Sequence, residues 1–497
     1  MATAQVLPKE LRLSAPPTMP QARSYLFKQQ SANATYEPGA SGTIQINLPR
    51  LQRSYLTKDS YLKFRMELSW ESDGTADEPL PCFDLPGAFG LFDRIEVYDY
   101  LGSTLLESTS GHGQLLALLM DTQSSTDEMQ FHYGVSSGTK GANAKEDDET
   151  IANTQHLYGP TTGGVFTVNP NAGDALYYEY TIPIFSFLGL LSQKFAPLHN
   201  GYTIQLTLNT AAQALGFALP TGATAGTPPT TYSLSNVYFC AQVLELGPVA
   251  ESMLISSTQG QPYVVPSKAY RNYIGSIPES ASSYRLDMNL NVASLTNILW
   301  MMRETAYQNN ILFKCLSYRI RNYLSSWYFQ YGSTILPQTS GIQAYSPPGV
   351  ILDPDDTGAN SRGGYNEAYC ELMKARHNLN SSNFNSTISK RNFWIDSATQ
   401  AAHEFGTTDN ASMALTAESS QESGKFACGL DLELVSGRSN DLVCGMNTNG
   451  MNTSINLTFD PNHLTGTYHV QPARVDLWAE YDSFINISPG IATTVSF

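Results

Sequence analysis

The chain has 497 residues, only 14% of them charged, and a formal net charge of −16. The body of such an acidic chain is not expected to coat nucleic acid non-specifically, because affinity for the phosphate backbone comes mainly from lysine and arginine. The length exceeds that of one ordinary core and predicts several domains. Abundant tyrosine and phenylalanine, with 37 glycines and 27 prolines, predict many strands joined by turns.

Residues 1–35 are predicted to form an N-terminal arm, because they carry several prolines and show no periodic pattern. The arm is basic, and its cations are Lys9, Arg12, Arg23 and Lys28. A solvated tail and an arm that lies against an acidic partner or nucleic acid fit equally well. The first residues also lack the apolar core of a secretory signal, which predicts synthesis in the cytoplasm or nucleus.

Residues 36–247 are predicted to form a first domain of strands. Alternating apolar and polar residues indicate half-buried strands at 42–49, 61–70, 92–99, 175–184, 202–209 and 236–246. The stretch FDRIEVYDYLGSTLL predicts a β-hairpin in which Gly102 turns the chain. Gly102 is interpreted as a turn residue that serves backbone geometry.

A short helix is predicted after this hairpin, with Ser110 as its N-cap and Leu115, Leu116 and Leu119 on one face. His112 and the other dispersed histidines are interpreted as exposed loop residues. Residues 121–174 form a predicted long loop, whose acidic run at 145–149 lacks the spacing of a calcium loop.

A linker is predicted at 248–265 and a second domain at 266–497, which repeats the order of the first. Its predicted elements are strands at 283–291 and 295–304, a hairpin at 318–336 that turns at Gly332, a helix at 366–378, and strands at 425–435, 453–460 and 474–484. The hairpin YRIRNYLSSWYFQYGSTIL again contains Gly-Ser-Thr.

The matched elements are collinear, and their spacing differs only through the loops. Gly102 and Gly332 are 230 residues apart, and Val237 and Val475 are 238 residues apart. Collinear matches with changes confined to loops are typical of duplicated domains. Since an immunoglobulin-like sandwich usually has about 100 residues, the greater length of each half favours a jelly roll with elaborated loops. The predicted fold class is all-β, with two tandem jelly-roll sandwiches, short helices and long loops.

No catalytic or metal-binding motif is present. The sequence has no nucleophile elbow, no H-E-x-x-H and no complete P-loop, and its six cysteines include no C-x-x-C pair. We therefore predict no catalytic residue, cofactor, metal or small-molecule ligand, and free buried thiols. The tryptophans fall mostly in strand patterns and are predicted to be core residues.

The chain resembles the double jelly-roll major capsid proteins of icosahedral double-stranded DNA viruses, of the virophage and polinton-like type. The resemblance is carried by FDRIEVYDYLGSTLLES, TIPIFSFLGLLSQ, VYFCAQVLELGPVAESML, SLTNILWMMRE and ARVDLWAEYDSFINISPGIATTVSF. It implies a structural protein of the virion, made in the host without a signal peptide. It also implies homotrimers that form pseudo-hexameric capsomers, which contact neighbouring capsomers and minor capsid and penton proteins, with no sequence-specific nucleic-acid binding.

The alternative is a two-domain β-sandwich that binds or cleaves carbohydrate, such as a viral fibre or lectin-like protein. Carboxylate pairs for glycoside hydrolysis form only in the folded chain, so the sequence leaves this alternative open.

Overall fold

The structure is a computed structural model. It describes the residues in the following ranges: 22–39, 42–68, 80–84, 86–100, 102–124, 176–186, 188, 195–218, 230–258, 261–311, 315–338, 341–344, 367–379, 386–388, 393, 396, 424–433, 445–465, 469–488 and 493–496. The arm residues Lys9 and Arg12, the acidic run at 145–149 and most of the long predicted loops lie outside these ranges.

In the described part of the first half of the chain there are thirteen strands. They are β1 (Ala22–Gln30), β2 (Thr35–Tyr36), β3 (Thr43–Leu48), β4 (Ser54–Leu56), β5 (Tyr61–Leu68), β6 (Leu80–Phe83), β7 (Phe92–Asp99), β8 (Leu105–Ser110), β9 (Leu176–Pro183), β10 (Ala196–Pro197), β11 (Tyr202–Leu208), β12 (Leu215–Ala218) and β13 (Tyr232–Leu246).

The residues described in the second half form ten strands. They are β14 (Tyr263–Ile277), β15 (Ser283–Met288), β16 (Leu295–Glu304), β17 (Leu324–Tyr331), β18 (Thr334–Leu336), β19 (Ile342–Gln343), β20 (Cys428–Asp431), β21 (Thr453–Phe459), β22 (Ala473–Ile487) and β23 (Thr494–Ser496). The helices are α1 (His112–Gln123), α2 (Ala211–Ala214), α3 (Pro248–Thr258) and α4 (Glu367–Ala375), with 3-10 turns at Gly87–Leu91, Thr305–Tyr307 and Pro461–His463.

The two halves repeat one arrangement of strands. One sheet has the order β3-β11-β7-β8 in the first half and β15-β21-β17-β18 in the second. The other sheet has the order β1-β13-β5-β9 in the first half and β14-β22-β16-β20 in the second, all antiparallel. Eight equivalent strands in two facing sheets make a jelly roll. The prediction of an all-β fold with two tandem jelly rolls is confirmed.

Period-two patterning explains why these segments form strands around a core. In β3 the burial alternates strictly, and Ile44, Ile46 and Leu48 point inward. One face of the sheet therefore packs on the core while the other carries polar residues. The core of the second roll includes Trp300 and Trp327, whose rings meet edge to face with centroids 5.3 Å apart. Trp300, Trp327 and Trp478 are fully buried, as predicted.

Two long strands and one helix lie where the sequence pattern predicted an arm and a linker. The strand β1 lies inside the predicted arm, and all of its residues from Ala22 to Gln30 pair with β13. The helix α3 and the start of β14 lie inside the predicted linker. Pro266 hid the start of β14 from the strand pattern, although proline is tolerated there because β14 pairs only with β22 among the described strands.

The two jelly rolls lie side by side in the same orientation. At one end, Asn200 of the first roll donates to the Ser488 carbonyl oxygen at 3.0 Å, and the Tyr263 hydroxyl donates to the Phe195 carbonyl oxygen at 3.0 Å. At the other end, α1 of the first roll contacts residues that precede β17 and β20 of the second. Among the described helices, none is long and apolar enough to cross a membrane.

Candidate functional site: the junction between the two jelly rolls

The helix α1 is the central element of the junction. Its residues from His112 to Thr122 are all buried, because the first roll covers one side and the second roll covers the other. The N-cap is Gly111, with φ +63°, and no side chain caps the helix. The predicted N-cap, Ser110, is instead the last residue of β8. The leucines at positions 115, 116, 118 and 119 lie within one half of the helix circumference, and the other buried positions carry mostly small or polar residues such as Gly113 and Ala117.

A buried charged cluster joins α1 to the second roll. We name the side chains of Asp121, Arg319, Thr387 and Lys425 the junction cluster. The Arg319 guanidinium donates to one Asp121 carboxylate oxygen at 2.5 Å, and the Lys425 ammonium donates to the other at 2.8 Å. The Thr387 hydroxyl also donates to Asp121. Burial alone would raise the pKa of the Asp121 carboxyl, but Lys425 and Arg319 outweigh it and lower that pKa.

A second carboxylate of the first roll caps a turn of the second. Asp84 is buried and accepts hydrogen bonds from the backbone N–H groups of Leu316, at 2.7 Å, and Ser317, at 3.1 Å. The Ser317 hydroxyl donates to the same carboxylate. Leu316 is also packed against Gly90 and Gly113 of the first roll. Because these donors are buried, the bonds hold the two rolls in one relative position.

Further contacts between the two rolls lie at other positions of the junction. The Trp478 indole on β22 donates to the Ser110 carbonyl oxygen at 3.0 Å. The amide of Asn378 donates to the Thr122 carbonyl oxygen at 2.9 Å, and the ring of Phe185 lies 6.2 Å from that of Tyr270. The junction therefore combines apolar packing with buried hydrogen bonds, as a protein core does.

His112 is buried at the start of α1, so the prediction of an exposed loop histidine is wrong for it. The strand pattern ends at Ser110, and the sequence does not show that the second roll covers the residues after it. Burial lowers the pKa of the His112 imidazole to about 4. The ring is therefore neutral at pH 7 and behaves as a core side chain.

The second roll also contains buried ion pairs of its own. Arg321 pairs with Asp396 through two bonds at 2.6 and 2.5 Å, and Arg303 pairs with Asp476 at 2.7 Å. Arg376, after α4, pairs with Glu480 at 3.1 Å. In sequence Arg319 and Arg321 alternate with apolar residues, a pattern that indicates a solvated strand face, so it gave no signal that these arginines are buried. Their partners lie 75 to 198 residues away in sequence, so the pairing itself could not be inferred.

The equivalent sheets of the two rolls differ in what covers their outer faces. Aligning Val237 with Val475 places Tyr61 and Lys63 of β5 at the positions of Leu299 and Met301 of β16. Every residue of β16 is buried, whereas Tyr61 and Lys63 are only half-buried. In the second roll α4, the segment around Cys315 and the first roll cover this outer face.

The structure places the predicted residues that it describes on turns and on an exposed strand. Gly102 and Gly332 have φ of +67° and +56°, and a Cβ atom at Gly102 would meet no heavy atom within 4 Å. Arg23 and Lys28 are both exposed residues of β1, and Arg23 pairs with Glu245 at 2.6 Å. These four residues do not form a common site.

The described residues contain no group of three or more potential metal ligands. Cys240, Cys315 and Cys428 are buried and Cys370 is half-buried, and these four described cysteines form no disulfide bond. Burial raises the pKa of the Cys315 thiol to about 12, which makes it a poor nucleophile.

No protein-family model matches the chain, and no curated protein matches its sequence. Solved structures match it over nearly its whole length. PBCV-1 VP54, fitted into a reconstruction of the virophage Sputnik, aligns with a TM-score of 0.53 and 10% identity, over 96% of this chain and 97% of its own.

Two further structures are similar to the same degree. A chain in the structure of the Sputnik virophage aligns with a TM-score of 0.53 and 11% identity, over 100% of this chain and 93% of its own. The Faustovirus major capsid protein aligns with a TM-score of 0.50 and 11% identity, over 96% and 92% of the two chains. Identities this low carry information about the fold alone. The chain is a double jelly roll with the fold of these viral capsid structures.

Proposed function

We propose that the chain is a structural major capsid protein, which trimerises into pseudo-hexameric capsomers and builds an icosahedral virus shell. The observation that carries this proposal is the pair of equivalent jelly rolls, held side by side and the same end up by a buried junction. Three copies of such a chain present six similar domains around one axis. Similar domains in closed symmetry fill a shell more evenly than three single domains could.

The likeness to capsid structures over nearly the whole chain supports the same role. A junction with a buried, paired carboxylate makes the two rolls one rigid unit, as a building block of a shell requires. On this proposal the location is the virion, and the partners are neighbouring capsomers with minor capsid and penton proteins. The carbohydrate-binding alternative is not favoured by any specific arrangement of the described side chains.

Mass photometry of the purified protein tests the proposal. We expect a species at three times the chain mass of 54.4 kDa, and electron micrographs that show hexagonal capsomers or closed particles. A protein that stays monomeric at all salt and protein concentrations would contradict the proposal. A glycan array is the matched test of the alternative, for which we expect no binding.

A further inference from the structure

The chain already contains one edge-to-edge contact between jelly rolls. The edge strand β8 of the first roll lies against the edge strand β14 of the second. On β14, Tyr270 is only 2% exposed, because Phe185 of the first roll lies over it and Glu480 accepts its hydroxyl at 3.0 Å. The indole of Trp478 on the neighbouring strand donates to Ser110 at the end of β8.

The strand of the first roll that is equivalent to β14 is β1, and its edge is free among the described strands. Leu26 of β1 pairs with Gln242, and Tyr270 of β14 pairs with Glu480. Gln242 and Glu480 each lie five residues after the matched valines, Val237 and Val475. Leu26 and Tyr270 therefore occupy the same position of the jelly roll. Leu26 is nevertheless 44% exposed.

The second roll also has an edge strand that is equivalent to β8. The strand of the second roll equivalent to β8 is β18, and it pairs only with β17 among the described strands. Each chain therefore carries two equivalent versions of both edges, β1 with β14 and β8 with β18, and β14 and β8 meet within the chain. The contact joins two different surfaces, so the remaining copies can meet only between chains. Contacts of this head-to-tail kind generate a ring when the rotation closes.

We infer that the β1 edge of one copy, centred on Leu26, docks against the second jelly roll of the next copy, on the side of β18. This inference rests on the proposed trimer and names the surfaces that hold it together. The occupant is a second copy of this chain, because the same pair of surfaces already meets at the junction within each copy. Capping β1 in this way also covers an exposed strand edge, which otherwise promotes non-specific association.

Two aspartate substitutions form a matched test, because Leu26 and Leu105 are both 44% exposed. Leu26 lies on the free edge, while Leu105 lies on β8, whose edge is occupied within the chain. We expect Leu26→Asp to convert the trimer to monomer in mass photometry, and Leu105→Asp to leave it trimeric. Circular dichroism and thermal unfolding of both variants check that they are folded. A folded Leu26→Asp variant that is as trimeric as Leu105→Asp overturns the inference.

A photo-crosslinking amino acid at position 26 gives a second measurement in a protein that is otherwise unchanged. We expect covalent dimers whose cross-linked peptide comes from the second jelly roll, residues 261–496, and no dimer with the same probe at position 105. A trimer that cross-links from position 26 only to first-roll peptides, or not at all, overturns the inference and leaves the proposed capsid role standing. A wild-type protein that is never trimeric overturns both.

Discussion

Trp478 and Ser110 are 368 residues apart in sequence, and the indole N–H of one donates to the carbonyl oxygen of the other at 3.0 Å. The bond crosses the junction, and the Trp478 side chain that donates it is fully buried. It ties the last long strand of the second roll to the end of β8 in the first, at the point where the chain turns into α1. Folding of the two rolls is therefore coupled through single identifiable groups.

Trp478→Phe tests the strength of this coupling. The variant leaves the Ser110 carbonyl oxygen without its donor, so we expect a loss of about 1–3 kcal/mol in the free energy of unfolding, beyond the loss in packing. Guanidinium denaturation followed by fluorescence measures it. Trp300→Phe is the matched control, since Trp300 is equally buried and its indole N–H has no partner among the described residues. Equal losses in the two variants would show that packing alone is involved.

Asp121→Ala removes the carboxylate of the junction cluster and leaves Arg319 and Lys425 buried without their counter-ion. Breaking a buried ion pair in this way costs about 3–5 kcal/mol, and we expect the denaturation midpoint to fall accordingly. Glu371→Gln is the control, because Glu371 pairs with the half-exposed Lys374 at 2.9 Å and surface pairs contribute at most about 1 kcal/mol. A midpoint for Asp121→Ala close to that of Glu371→Gln would contradict the structural role of the cluster.

Because His112 is buried, we expect the free energy of unfolding to fall in mild acid. Its imidazole has a pKa of about 4 in the folded protein, below the ordinary 6.5, because it is buried. The unfolded chain binds the additional proton between these values, so the contribution of His112 is fully present above pH 6.5. It is lost progressively as the pH falls toward 4, by an amount on the order of 3 kcal/mol.

His112→Gln should make unfolding less dependent on pH in this window. The measurement is the denaturation midpoint at half-unit steps from pH 4 to pH 7 for both proteins. Asp121 does not vary between them, so its own acid sensitivity cancels in the difference. Parallel profiles for the two proteins would show that His112 is not the group that titrates.

Gly111 and Gly102 both have positive φ, of +63° and +67°, but only one of them is confined. A Cβ atom at Gly111 would lie 3.1 Å from Cζ2 of Trp478, whereas Gly102 has open space around it. We expect Gly102→Ala to cost about 1–2 kcal/mol from backbone strain alone. Gly111→Ala should cost more, since the Trp478 ring must also move. Thermal unfolding of both variants gives the comparison, and a smaller cost at Gly111 would be inconsistent with the geometry.

Two truncations separate the arm from the strand β1. Deletion of residues 1–21 leaves β1 intact, so we expect an unchanged unfolding temperature and trimer, with impaired shell assembly if Lys9 and Arg12 hold an inner partner. Deletion of residues 1–30 also removes β1, which pairs with β13 along its whole length. We expect that variant to unfold at a clearly lower temperature and to lose the trimer. Equal behaviour of the two truncations would show that β1 contributes little.

Most strands could be predicted from the sequence because one face of each packs on a core and the other is exposed to solvent, so that apolar and polar residues alternate. The duplicated hairpins and the collinear matches led directly to two jelly rolls. The pattern failed where burial is not one-sided. The helix α1 was predicted to have one apolar face, and His112 was assigned to a loop, because the second roll that covers them lies far away in sequence.

The junction could not be predicted for the same reason. Asp121 and Lys425 are 304 residues apart, and nothing local to either residue indicates an ion pair. The strand β1 was missed because it comes after proline-rich residues and has only half-buried side chains on its inner face. A buried pattern was therefore absent from the one strand that we place at the contact between copies.

The complete burial of β16 has a consequence for how the protein is made. The first roll leaves the ribosome before the second, and domains fold as they emerge. The sheet of the first roll carries Tyr61 and Lys63 on its outer face, so this face can remain exposed to solvent until the second roll has been synthesised. When β16 with Leu299 and Met301 is synthesised, the folded first roll is already present and helps to bury these side chains. Exchanging the two halves in a circular permutant would remove that order, and an apolar sheet would emerge first.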